Sequence, residues 1–351
     1  MDISLFDFDL PEELIAQSPM QQRDNCRLLA VDREHHTYEH KHFYDIIDYL
    51  HKGDVLVRNN TKVIPARLIG VKEETKGKVE LLLLHEVGLD TWECLVGNAK
   101  SVKVGTHCSF GEGKLRAECV AVKEEGIRHM RFIYDGIFLE VLDQLGLMPL
   151  PPYIKKQCEN KDDYQTVYAK VPGSAAAPTA GFHFTEELFQ KLQDKGVEVV
   201  DITLNIGLGT FRPVKVTDTK DHVMHSETYE MSEDAAKRLN LAKKEGRRII
   251  AIGTTSVRTL ESVYQKYGEF RPCSEATSIF ISPGYQYQTI DALITNFHLP
   301  KSTLVMLVSA FMGRKWTLEC YQAAIDERYR FFSFGDSMFI YGKQNIRAED
   351  D

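Results

Sequence analysis

The stretch Ser232–Gly268, SEDAAKRLNLAKKEGRRIIAIGTTSVRTLESVYQKYG, decides the fold. It opens on a serine, whose hydroxyl caps helix N-termini, and keeps helical spacing to Gly246, a natural C-terminal stop. RIIAIG (Arg248–Gly253) is then short and apolar, the pattern of a buried strand. Thr254 to Gly268 has helical spacing again. Helix, strand and helix in direct succession imply an α/β layer with a largely parallel sheet.

The alternation extends both ways. TEELFQKLQDKG is an amphipathic helix stopped by Gly196, and VEVVDITL a strand; SIFI, DALITNF, STLVMLVSAFM and TLECYQAAIDERYRFF follow downstream. The helical segment FYDIIDYLHKG places the first fifty or so residues in the same layer. Between lies another pattern. DVLVRN, ARLIGVKE, KVELLLLHE, WECLVG, LRAECVAVKEE and HMRFIYD are short strands with no helix among them, which implies a small barrel or sandwich. A helix over GIFLEVLDQLG and the proline-stiffened LMPLPPYI, read as a hinge, lead back. The expected division is a large α/β domain of residues 1–60 and 150–351, interrupted by an all-β domain at 61–149.

The 351 residues, 43% hydrophobic and 27% charged, have an ordinary globular composition. No apolar run reaches the roughly 18 residues of a membrane span, and TNFHLPKSTLVMLVSAFM has an apolar part of only about eleven. The acidic start MDISLFDFDLPEEL lacks a signal-peptide pattern, and the seven cysteines include no C-x-x-C. Reduced thiols in a cytoplasmic protein are the expectation. A net charge of −8 excludes a generally basic nucleic-acid coat but not a local patch. Arg23 with Arg27, Lys155 with Lys156, Lys243, Lys244, Arg247 and Arg248, and Arg328 with Arg330 are such clusters; solvated faces are the other reading of each.

Chemistry concentrates where strands end, the usual ligand edge of an open α/β sheet. Gly207 and Gly209 suggest a dinucleotide loop, but Phe211-Arg212-Pro213 follows in place of a helix, so taken alone this is a tight turn. Gly253-Thr254-Thr255-Ser256 opens a helix whose free N–H groups suit a carboxylate or phosphate, with Arg258 a turn on; plain capping also explains it. His222, His225 and Glu227 form H-x-x-H-x-E, which admits a metal or polar substrate contacts. Asn296 and His298 either read polar ligand edges or complete a turn. In GSAAAPTAGFHFT (Gly173–Thr185), Pro178 breaks any continuous helix, and the small residues leave room for a ligand against backbone.

Taken together, SPMQQRDNCRLL, NNTKVIPARL, MPLPPYI, YQTVYAKVPGSAAAPTAGFHFT, IGLGTFRPV, HVMHSE, IGTTSVRTLES, TNFHLPKSTLVMLVSAF and RYRFFSFGDSMFI resemble, in order and nearly end to end, the S-adenosylmethionine:tRNA ribosyltransferase-isomerase family of queuosine biosynthesis. The resemblance implies a large α/β barrel-like domain with an inserted small β-barrel. It implies a tRNA substrate bearing 7-aminomethyl-7-deazaguanine at the wobble position. S-adenosylmethionine is consumed as cosubstrate, its ribosyl part being transferred and isomerised to give epoxyqueuosine, with release of adenine and methionine. No metal and no membrane are implied, and a monomer is expected. Two other readings remain: a tRNA methyltransferase using the same cosubstrate, and a non-catalytic RNA-binding protein.

On this reading His183, His222, His225 and Glu227 are the acid/base candidates. Gly253, Thr254, Thr255 and Arg258 hold the methionine carboxylate or a tRNA phosphate. Ala177, Thr179 and Gly181 floor the site, beside the Gly207–Gly209–Thr210 turn. Tyr164, Tyr168, Phe182 and Phe297 are stacking platforms for bases, with core filling as the other reading; Asn296 and His298 read edges. The chain departs from relatives at Asn205, where they commonly have histidine, and at Phe182, where they have leucine. Asn205 can donate and accept a hydrogen bond but cannot exchange a proton near neutral pH.

Overall fold

The computed structural model describes residues 1–155, 160–207 and 216–346. The chain begins with β1 (Arg27–Asp32), β2 (Thr37–His42), β3 (Val55–Asn59) and the short β4 (Thr61–Val63). Six strands form the insertion: β5 (Arg67–Lys72), β6 (Lys78–Gly88), β7 (Thr91–Gly97), β8 (His107–Phe110), β9 (Leu115–Val122) and β10 (Ile127–Tyr134). After α1 (Phe138–Leu145) come β11 (Val171–Ser174), α2 (Glu186–Asp194), β12 (Glu198–Leu204), β13 (Glu227–Met231), α3 (Glu233–Glu245), β14 (Ile249–Ile252), α4 (Gly253–Tyr267), β15 (Cys273–Thr277), β16 (Ala292–Asn296), α5 (Thr303–Met312), α6 (Arg314–Asp326) and β17 (Ser337–Tyr341).

The fold class is the expected one, α/β with an inserted all-β barrel. Nine strands form the large sheet in the order β15-β13-β12-β3-β14-β16-β17-β1-β2, with β15 and β2 at its edges. Its centre, β12-β3-β14-β16, is parallel. Towards the edges, β16–β17, β1–β2, β12–β13 and β13–β15 are antiparallel, so the sheet is mixed, not largely parallel. The expected strand SIFI is not one; the β15 ladder ends at Thr277. FYDIIDYL forms a 3-10 helix, Phe43–Asp48.

Both sheet faces are covered, which is why the central strands read as continuous apolar runs. Side chains alternate across a strand. In β14, Ile249 and Ala251 join one core with α3, α4 and α5, while Ile250 and Ile252 join the other with Leu188 and Leu192 of α2. The stretch read first obeys its sequence signals: Ser232 accepts from the Ala235 N–H, and Gly246 closes α3 in the left-handed conformation, φ 67°.

Strands β5–β10 close into a barrel, order β10-β7-β6-β5-β8-β9, around their own core, with Leu142 of α1 packed into it. The chain leaves and returns through the β4–β11 ladder. The proline-rich return is not a free hinge. Its Tyr153 stands edge-on to Phe332 with ring centroids 4.0 Å apart, and Ile154 is buried against Val63 and Phe334.

Candidate active site

Because β12, β3, β14 and β16 run parallel, their carboxyl ends meet at one edge. A cleft of about 490 Å³ opens there. Ala177, Thr179 and Ala180 line its floor, and Gly253, Thr254, Thr255 and Arg258 one wall. Asn296 and His298 form another wall, and His222, His225 and Glu227 cross from the β13 side. The sequence-based candidates on these loops are therefore brought together.

The α4 wall has the most defined chemistry. Strand β14 passes into α4 with no intervening loop, and Gly253 makes the corner at φ 83°, a conformation that favours glycine. Among the described residues no side chain caps α4, whose first residues Gly253, Thr254 and Thr255 line the cleft. Arg258 is 7% exposed and pairs through Nη1 with Glu227 Oε2. Glu227 Oε1 accepts from the Gly207 N–H at 2.9 Å. Arg258 Nε and Nη2 and Thr255 Oγ1 are buried with no hydrogen-bond partner among the described residues. Arg258 and Thr255 both line the cleft beside the start of α4.

The histidines divide by environment. His298 is buried, its Nε2 2.9 Å from Thr295 Oγ1, and burial pulls its pKa down to about 3. It is a neutral polar group. His222 lies beside the Phe280 ring, centroids 5.3 Å apart. Partial burial, and then the neighbouring His225, hold its pKa below the usual 6.5. Glu227 is engaged by Arg258, and among the described residues no group of three or more His, Cys, Asp or Glu is placed to hold a metal ion.

Other candidates lie elsewhere. His183 is 3% exposed and lines a separate small crevice with Cys26 and Phe182. Gly181 is small because Tyr168 needs the space: a Cβ there would overlap Tyr168 Oη. The four aromatics proposed as platforms fill cores, so none offers the cleft a free ring face. Tyr164 and Phe182 pack with Phe334. Tyr168 packs on Phe189 beneath Arg58, and Phe297 among Tyr321, Tyr329 and Phe331. Asn205 ties strands together, accepting from Thr61 Oγ1 at 2.9 Å and donating to Thr228 Oγ1 at 3.3 Å. Gly209 and Thr210 fall outside the described residues.

Several lining residues escaped the sequence reading. Glu125, in the turn between β9 and β10, brings the barrel to the cleft. Phe332 and Ser333 complete the Asn296 wall, and Phe332 holds φ 73°, rare for a side chain branching to a ring. RFFSFGD carries no local signal for that conformation. Many basic clusters are spent within the fold: Arg247 on Glu198, Arg248 on Asp54, Lys155 on Glu12, Arg23 on backbone carbonyls.

The fold and cleft define an α/β protein with an inserted barrel and a cleft at the sheet's carboxyl edge. Residues 3–340 match the family described as queuosine biosynthesis protein, and the chain belongs to that family. It is similar to the crystal structure of an S-adenosylmethionine tRNA ribosyltransferase from Thermotoga maritima: 36% identity, 96% of this chain and 99% of that one covered, TM-score 0.56.

Proposed function

We propose that this protein transfers and isomerises the ribosyl group of S-adenosylmethionine onto 7-aminomethyl-7-deazaguanine at the wobble position of tRNA. Epoxyqueuosine-tRNA forms, and adenine and methionine leave. One observation carries the reading: the unpartnered edge of Arg258, with Thr255 Oγ1, at the uncapped start of α4. That edge fits the α-carboxylate of the methionine part, which a planar guanidinium binds with two parallel hydrogen bonds. A tRNA phosphate is the less suited anion, because Arg258 is only 7% exposed and a backbone phosphate is bulky. Family membership and the solved relative favour ribosyl over methyl transfer.

The rest of the cleft divides the work. The small floor Ala177–Ala180 admits the adenosine beside His298, the Asn296 amide being taken up by the Phe332 carbonyl. The sulfonium acidifies the ribose 5′-carbon, adenine must accept a proton as it leaves, and the attacking aminomethyl group must be neutral. Glu227 is held by Arg258 and His298 is held neutral by burial, so His222 and His225 are assigned the proton transfers. The protein acts in the cytoplasm, where its tRNA is. The test is incubation with S-adenosylmethionine and tRNA bearing the aminomethyl base, followed by mass analysis. Free adenine and methionine are expected; S-adenosylhomocysteine would mean methyl transfer, and no turnover a binding protein.

A further inference from the structure

Behind the Asn296 wall lies a line of polar groups that the chemistry above does not use. Cys26 Sγ is 3.1 Å from His183 Nδ1, and both side chains are buried. On the far side of the line, Asn296 Nδ2 donates to the Phe332 carbonyl at 2.8 Å and more weakly to that of Ser333 at 3.5 Å. Carbonyls only accept, so this contact fixes which end of the amide is nitrogen and turns Oδ1 the other way. Asn296 Oδ1 and His183 Nε2 are both buried without a partner in bonding geometry among the described residues, and Asn296 is near enough to act on the imidazole. Each is the other's available partner.

The donors and acceptors then order themselves. Burial pushes the Cys26 thiol up well above its usual range, so it keeps its proton and donates. Burial pulls His183 down to about 3, against a smaller upward push from Asn296, and Arg23 and Arg330 add to the downward pull. The ring is therefore neutral. With Nδ1 accepting from the thiol, its one proton sits on Nε2.

We infer that His183 is a positioning residue, not an acid or base: as the Nε2–H tautomer between Cys26 and Asn296, it orients the Asn296 amide and so holds Phe332 and Ser333 in the cleft wall. The left-handed backbone at Phe332 is what needs holding. Its amide is bound by the Phe297 carbonyl at 3.0 Å and its own carbonyl by Asn296. Without His183, the Asn296 amide is free to turn and the wall loosens. The inference rests on the proposed use of the cleft, and its test separates the two.

The first readout needs no substrate. Imidazole ¹⁵N shifts of the intact protein should show His183 as the Nε2–H tautomer, with no titration between pH 5 and 8. An Nδ1–H tautomer, or a titration near neutral pH, overturns the inference. The second is a double-substitution cycle on binding and turnover of S-adenosylmethionine. His183→Ala should weaken kcat/KM by roughly tenfold or more alone, but by less than about twofold in an Asn296→Ala background. Both limbs of the pH profile should stay in place, and His183→Gln, which keeps a donor near Nε2, should recover much of the loss. Equal losses in both backgrounds, or a lost pH limb, overturn it. If His183→Ala does not fold, His183→Gln and His183→Asn carry the same comparison, with Gln expected to outperform Asn. Failure of the unaltered protein to turn over S-adenosylmethionine strikes the proposed function instead.

Discussion

Replacing Arg258 by lysine tests the anion site without breaking the fold. Arg258→Met would leave Glu227, 6% exposed, as a buried charge without its partner. That costs about 3–5 kcal/mol and would hide the binding effect. Lysine keeps a cation for Glu227 but loses the fork formed by Nε and Nη2, the two donors with no partner among the described residues. A hydrogen bond to a charged group contributes about 1.5–3 kcal/mol. With two lost and the ammonium recovering part, the net loss is about 2–3 kcal/mol, or roughly 30- to 150-fold in affinity. Calorimetric titration with S-adenosylmethionine and its decarboxylated analogue reads this directly. The unaltered protein should prefer the carboxylated ligand by a similar factor, and Arg258→Lys should reduce that preference to a few fold. Indifference of the unaltered protein to the carboxylate would refute the assignment.

Three further outcomes follow from the same geometry. Glu227→Gln leaves Arg258 buried without its counter-charge and should lower stability in urea by about 3 kcal/mol; a loss below about 1 kcal/mol would deny the pair its buried character. His222 must be unprotonated to act as a base, so kcat/KM should fall with acid through a pKa below 6.5, held there by burial and by His225. His225→Asn removes one downward push, and the acid limb should move up towards 6.5; an unmoved limb would contradict the coupling. Gly181→Ala should destabilise by about 1–3 kcal/mol through overlap with Tyr168 and Thr166. Tyr168→Phe, removing an oxygen that has no partner among the described residues, should recover part of that loss, and no recovery would mean the overlap is not with that oxygen.

The fold was legible where periodicity and capping agree. Ser232, Gly246 and the apolar run Ile249–Ile252 mark α3 and β14 without ambiguity, and the inserted strands announce themselves by the absence of helices among them. The polar groups at the ends of β14 and β16 were legible for the same reason. What a strand's end carries is set by chain order. Which way a residue faces within an irregular segment is not. Thr179–His183 forms a 3-10 turn that gives Thr179 and Ala180 to the cleft and sends Phe182 and His183 behind it. Aromatic residues gave no signal separating platform from core, since Tyr164 and Phe297 are buried by partners distant in sequence. Phe332 was missed because its left-handed backbone is imposed by Phe297 and Asn296, more than thirty residues upstream.

The proposed function requires the cleft to consume S-adenosylmethionine for its ribose. The most direct measurement supplies two forms of that cosubstrate, one labelled in the ribose and one in the methyl group, together with tRNA bearing 7-aminomethyl-7-deazaguanine. Ribose label should pass into the tRNA while methyl label stays with free methionine. Methyl label in the tRNA, with the ribose label left in S-adenosylhomocysteine, would contradict the claim.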